Sequence, residues 1–196
     1  MDDLSTLEYR AFRDTIRQRG TARLVVAWLA LALWAALALV VWVAGIVPAM
    51  TLVPLLALAA GFETVAALHI NVERIGRYVQ VEYEEARAES PGNAEGRRPR
   101  WEHAAMAYGR SWPKGGIDPL LSTHFLAATA LNLFPAAGAL PLELGGLALA
   151  HAAMAVRIVA LRDRARRQRA EDLERFREVK RQLDQPADSS RPTPRD

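Results

Sequence analysis

The chain reads as an all-α integral membrane protein, with four transmembrane helices in two hairpins and helical extensions in the cytoplasm. Three observations lead there. Hydrophobic residues make up 51% of the 196 positions and charged residues 24%, and the two kinds occupy separate blocks, unlike the mixed pattern of a soluble core. Four apolar runs have the length or the helix-start signals of spanning helices. The two short connections between those runs, AGIVPAM and FPAAGALPLE, contain no Lys or Arg.

The first segment, residues 1–23, is expected to be an amphipathic cytoplasmic helix. Leu4, Leu7, Ala11, Phe12 and Ile16 fall on one stripe, which suits a helix lying on the bilayer or packing on other cytoplasmic helices. Leu24 to Val43 is an uninterrupted apolar run of 20 residues, enough to cross a ~30 Å hydrocarbon core. It is too long for the apolar part of a cleavable leader. Trp28 and Trp42 lie near its ends, where aromatic belts form.

The second run, Pro48 to Ile70, begins with a proline suited to a first turn and contains Pro54, which is expected to kink it. Val65, Leu68, Val72, Ile75 and Val79 continue one helical stripe past the apolar run. The first hairpin therefore covers 24–89, with its second helix projecting into the cytoplasm. Residues 90–117 read as a connector: SPGNAEGRRPR as loop, WEHAAMAYG as a short helix, SWPKGGIDP as turns. Its glycines do not have phosphate-loop spacing, and no strand precedes them.

The second hairpin, 118–161, comprises a third span from Pro119 to Ala137 and a fourth from Pro141 to Leu161. Both start at prolines. Residues 162–184 form a basic helix continuing the fourth span, with Leu173, Phe176, Val179 and Leu183 at helical spacing. It is expected to pack on the second helix's extension. Residues 185–196, rich in Pro and charge, are expected to be disordered.

Arginines cluster in the N-terminal flank, the connector and the C-terminal flank. The positive-inside rule puts both termini in the cytoplasm of a plasma membrane, and the Ala, Leu and Arg bias points to a bacterial source. Lipid is thus the first partner. Arg162, Arg164, Arg166, Arg167 and Arg169 suit anionic headgroups, at roughly 1 kcal/mol each. A homo-oligomer and an unidentified protein are further partners, and interleaved acids argue against nucleic acid. The absence of cysteine excludes disulfides, thiolate catalysis and Cys-ligated metal centres, and no cofactor is expected.

Intramembrane ionisable groups are costly and count as functional candidates. At 1.5 Å per residue, Glu63 lies roughly 22 Å from the outer side and Arg157 roughly 24 Å, so their depths match. His124, Asn132 and His151 also fall within spans. Glu63 is expected to pair with Arg157 or His124. His69, Glu73, Arg74 and Arg77 form an interfacial charged group that needs no buried partner. The first span, with its tryptophans counted as apolar, has no polar side chain and reads as a lipid-facing wall.

Three functions compete. The leading one is a non-enzymatic scaffold or partner-binding subunit whose polar residues form an interhelical clasp in the inner leaflet. The second is an oligomeric ion or proton channel or transporter using Glu63, His124, Asn132 and His151. The third is a metal- or haem-binding enzyme using His69, His124, His151 and a carboxylate. It is disfavoured because no Glu-x-x-His pair is present and the histidines differ in depth.

Overall fold

The computed structural model describes residues 2–45, 47–85 and 117–185. Among these residues the fold is all helical. Helix α1 (Asp2–Val43) has 42 residues, or about 63 Å, and passes from the charged N-terminal segment into the apolar run without a break at Arg23. After Ala44 and Gly45 the chain reverses, with Gly45 at φ +59°, a left-handed conformation that glycine adopts without strain. A 3-10 turn (Pro48–Thr51) leads into α2 (Leu52–Val79), and a π turn (Gln80–Glu85) extends it. Helix α3 (Pro119–Asn132) follows, and then a 3-10 turn (Phe134–Ala136) and α4 (Pro141–Asp184).

Three helices are long and apolar enough to cross a membrane: Thr6–Val43, Pro48–Glu85 and Pro141–Asp184. Helix α3 has 14 residues, about 21 Å, and ends five residues before the expected Ala137. Pro135 explains the difference. It lacks an N–H and disfavours α geometry at Phe134, so the backbone tightens into a 3-10 turn. At the other end the Asp118 carboxylate accepts the Leu120 N–H at 2.8 Å and caps α3. Pro54 does not sit mid-helix as expected. Helix α2 begins at Leu52, so Pro54 lies in the first turn, where no ladder bond is lost.

The apolar core is centred on Ala27, Leu58, Phe62, Val65, Phe125 and Ile158. Phe62 and Phe125 meet edge to face at 5.2 Å between ring centroids, a favoured aromatic geometry. Helices α1 and α2 approach closely at Gly61, where an added Cβ would collide with Cβ of Ala30. On its opposite face α1 exposes Trp28, Leu29, Leu33, Val40 and Trp42.

A second, smaller core joins the charged half. Phe12 of α1 stacks edge-on to Tyr78 and Tyr83, and Tyr78 to Phe176 of α4. The N-terminal segment therefore packs on the other helices. In the α4 extension Leu173 is buried beside Val81 and Phe176 packs on them, whereas Val179 and Leu183 are exposed. The connector 90–117 up to residue 116 and the tail from 186 lie outside the described residues.

Gly61→Ala is expected to cost about 1–3 kcal/mol by overpacking, read as a lower thermal midpoint in detergent. Adding Ala30→Gly is expected to recover part of that loss, as coupled neighbours do; additive losses would contradict the close approach.

Candidate functional site

The candidate residues Glu63, His124, Asn132, His151 and Arg157 fall in three separate places. The first is a buried node that joins all four helices. The indole of Trp34 (α1) donates to Asn132 Oδ1 (end of α3) at 3.1 Å. Asn132 Nδ2 donates to the carbonyl of Thr51, at the start of α2, at 2.8 Å. The same nitrogen lies 2.9 Å from His151 Nε2 (α4), and His151 Nδ1 lies 2.7 Å from the Leu147 carbonyl. Chemistry fixes every direction. An indole N–H only donates, so Asn132 must turn Oδ1 towards it and Nδ2 towards the other two groups. His151 Nε2 is then an acceptor, and Nδ1 carries the proton that goes to Leu147. The imidazole is held as the neutral Nδ1–H tautomer. Asn132 and His151 are both buried, and each polar atom of the node has a partner, as a buried network requires.

The second place is the Glu63–Arg157 pair. Arg157 Nε and Nη2 donate to Glu63 Oε1 and Oε2 at 2.6 and 3.1 Å, a bidentate fork. Glu63 therefore bonds Arg157 and not His124. The pair does not point into the bundle: the two side chains are 46% and 50% exposed. The third place is His124 on α3. It binds its own helix through Nδ1 and the Leu120 carbonyl at 2.7 Å and sets its ring edge-on to Trp28.

Towards the charged half, α2 and α4 run side by side and parallel. Glu63 meets Arg157, Glu73 meets Arg169 at 3.0 Å, Arg74 meets Asp172 at 3.4 Å, and Glu85 meets Arg177 at 2.7 Å. Lys180 adds a hydrogen bond to the Val81 carbonyl. Hydrogen bonding from Glu85, the largest influence, holds the Arg177 pKa above its ordinary value.

The expectation that the group His69, Glu73, Arg74 and Arg77 needs no buried partner fails at His69 and Arg77. His69 and Arg77 are buried, because α1 and α4 continue beyond the apolar zone and cover this face of α2. Arg23 Nη1 donates to His69 Nδ1 at 2.6 Å. Arg77 Nη1 donates to Gln80 Oε1 at 2.6 Å, and Arg77 Nη2 lies 3.8 Å from the Glu73 carboxylate that Arg169 also contacts.

Sequence reasoning named Asn132, His151, Glu63 and Arg157 but missed Trp34, Thr51, Arg23 and the Glu85–Arg177 rung. The rungs carried a signal. Their partners are separated by a near-constant sequence offset, legible once two parallel helices are assumed. Among the described residues no group of three His, Cys, Asp or Glu side chains is placed to hold a metal. Compared with known proteins, the chain matches no family model, no curated protein and no solved structure.

Asn132→Leu strands the Trp34 N–H and His151 Nε2 and takes one donor from the Thr51 carbonyl, and is expected to cost about 1–3 kcal/mol or more in equilibrium unfolding. Trp34→Phe, which removes one donor, is expected to cost less. Burial first, and then a hydrogen bond to Glu8, raise the Tyr83 pKa above its ordinary 10.0. The neutral phenol is therefore the form the fold holds. Its contribution is fully present below pH 10.0 and is lost as pH rises through the higher folded value. Alkaline unfolding followed by near-ultraviolet circular dichroism is expected to be less steep in Tyr83→Phe.

Proposed function

We propose that this chain is a four-span, non-enzymatic membrane subunit: a transmembrane bundle locked by an internal polar clasp, carrying a helical platform in the cytoplasm. The carrying observation is Asn132, whose amide is bonded to groups from all three other helices. A side chain engaged in that way serves helix register. A transport path calls for polar groups aligned along one route, and here they lie in three separate places. The network thus supports the clasp over the path.

The four-span topology rests on two further observations. No charged residue occurs between Pro119 and Leu142, so α3 together with residues 133–140 forms one apolar crossing. Asn132 reaches Thr51 at the far end of the bundle, while the N-terminal half of α1 and the extensions of α2 and α4 share the opposite, arginine-rich end. The positive-inside rule places that end in the cytoplasm. The platform there is a three-helix stalk held by the aromatic cluster and the ion-pair rungs. Of the five arginines assigned to anionic headgroups, Arg169 is engaged by Glu73. Arg164, Arg166 and Arg167 are exposed and Arg162 is half-exposed, and these four are the lipid-facing set.

The test uses single cysteines in this cysteine-free chain and vesicle flux. Ala44→Cys and Gly138→Cys are expected to react with impermeant maleimide only from outside the cell, and Gln185→Cys only from inside. Vesicles containing the protein are expected to leak protons and potassium no faster than empty ones. A proton flux abolished by Glu63→Gln, or inside labelling of Gly138→Cys, would contradict the proposal.

A further inference from the structure

Outside the saturated node, the Glu63–Arg157 pair on the outer face of α2 and α4 is an ion pair of the apolar half that the clasp does not use. This inference rests on the membrane-spanning placement above. At that placement the pair lies roughly 22–24 Å from the outer side, within the ~30 Å hydrocarbon core. Arginine at such a depth ordinarily extends its side chain to the interface. Here the bidentate fork to Glu63 holds the guanidinium against α2. Both side chains are about half exposed, so the pair keeps unused donor and acceptor capacity facing hydrocarbon, where polar groups are costly.

Small residues flank the pair, with the exposed Leu56 of α2 and Val156 of α4 beside them. Ala60 and Ala67 of α2 and Ala153 and Ala160 of α4 lie within two helical turns of it on the same side, all exposed. Small side chains let helix backbones approach closely in a membrane, where no hydrophobic force distinguishes protein from lipid. A twofold axis along the membrane normal supplies a matching surface. Two facing copies keep their pairs at one depth, and Glu63 of each falls opposite Arg157 of the other. Four charges then alternate around the axis, and the contact is isologous.

We infer that the α2–α4 face centred on Glu63 and Arg157 is the contact surface for a second copy of this chain, closed by reciprocal ion pairing. Ala67→Cys, Ala153→Cys and Ala160→Cys are tested by oxidative crosslinking in native membranes, with Leu33→Cys on the exposed face of α1 as the comparison. The expected product has twice the 21.6 kDa chain mass and forms from the α2–α4 positions and not from Leu33→Cys. Arg157→Glu places two carboxylates on each face and is expected to weaken the crosslink about tenfold or more, the effect of losing ~1.4 kcal/mol. The charge-swapped Glu63→Arg/Arg157→Glu chain restores complementarity and is expected to recover it. Native mass spectrometry in mild detergent reads the same assembly without a crosslink.

Absence of crosslinks from all three positions, crosslinking from Leu33→Cys alone, or indifference to Arg157→Glu would overturn the inference. A monomer retaining phospholipid, with the lipid lost in Arg157→Gln, would also overturn it and assign the pair to a headgroup. Carbonate extraction of each variant separates this failure from failure of the membrane placement. A chain that stays in the membrane as a monomer overturns the interface alone, and a chain that is extracted overturns both.

Discussion

Everything in the apolar half is organised around one side-chain amide that must be satisfied where water is excluded. Asn132 has one strong acceptor and two donor hydrogens, and the fold uses all three on three different helices. An unpaired buried amide costs about 1–3 kcal/mol, so sliding any helix along its axis carries a penalty that apolar packing alone would not impose. Leucine, alanine and valine against one another permit many registers. The amide, with a donor-only indole on one side and an imidazole on another, permits one.

The rest of the molecule inherits that register. With α3 pinned to the start of α2 and to α4, helices α2 and α4 are left parallel, and their long extensions run out together. Glu73, Arg74 and Glu85 then meet Arg169, Asp172 and Arg177 in order. Individually such pairs contribute little when exposed, about 0–1 kcal/mol. Several in series, closed by the Phe12, Tyr78, Tyr83 and Phe176 rings, hold a stalk where no single contact would. The continuity of α1 and α4, with 42 and 44 residues, couples the two halves mechanically, since neither helix has a hinge between its apolar and charged parts.

Much of this was legible in the sequence, and the reasons differ by element. Blocks of hydropathy exposed the long apolar helices, and stripe continuity foretold that α2 and α4 outlast the apolar zone. Equal depths pointed to Glu63 and Arg157 as partners, because depth along a helix is linear in residue number. Direction around the helix is harder to read. Glu63 and Arg157 pair across helices as their depths imply, but on the outer face of the bundle, since the faces of α2 and α4 depend on how four helices crowd together. Trp34 was hidden because a tryptophan in an apolar run counts as apolar, although its N–H is polar. The early end of α3 followed from Pro135, a local signal overshadowed by the apolar run around it. The burial of His69 and Arg77 was not legible, because the cover supplied by α1 and α4 is a tertiary fact.

The most direct measurement is the 15N spectrum of His151 in lipid, with the imidazole nitrogens resolved. A register-setting node holds that ring as a neutral Nδ1–H tautomer, its Nε2 accepting from Asn132, with slow exchange with solvent. An Nε2–H or doubly protonated ring, exchanging freely with water, would mean that the site is open and hydrated, and that Asn132 and His151 line a path rather than lock a bundle.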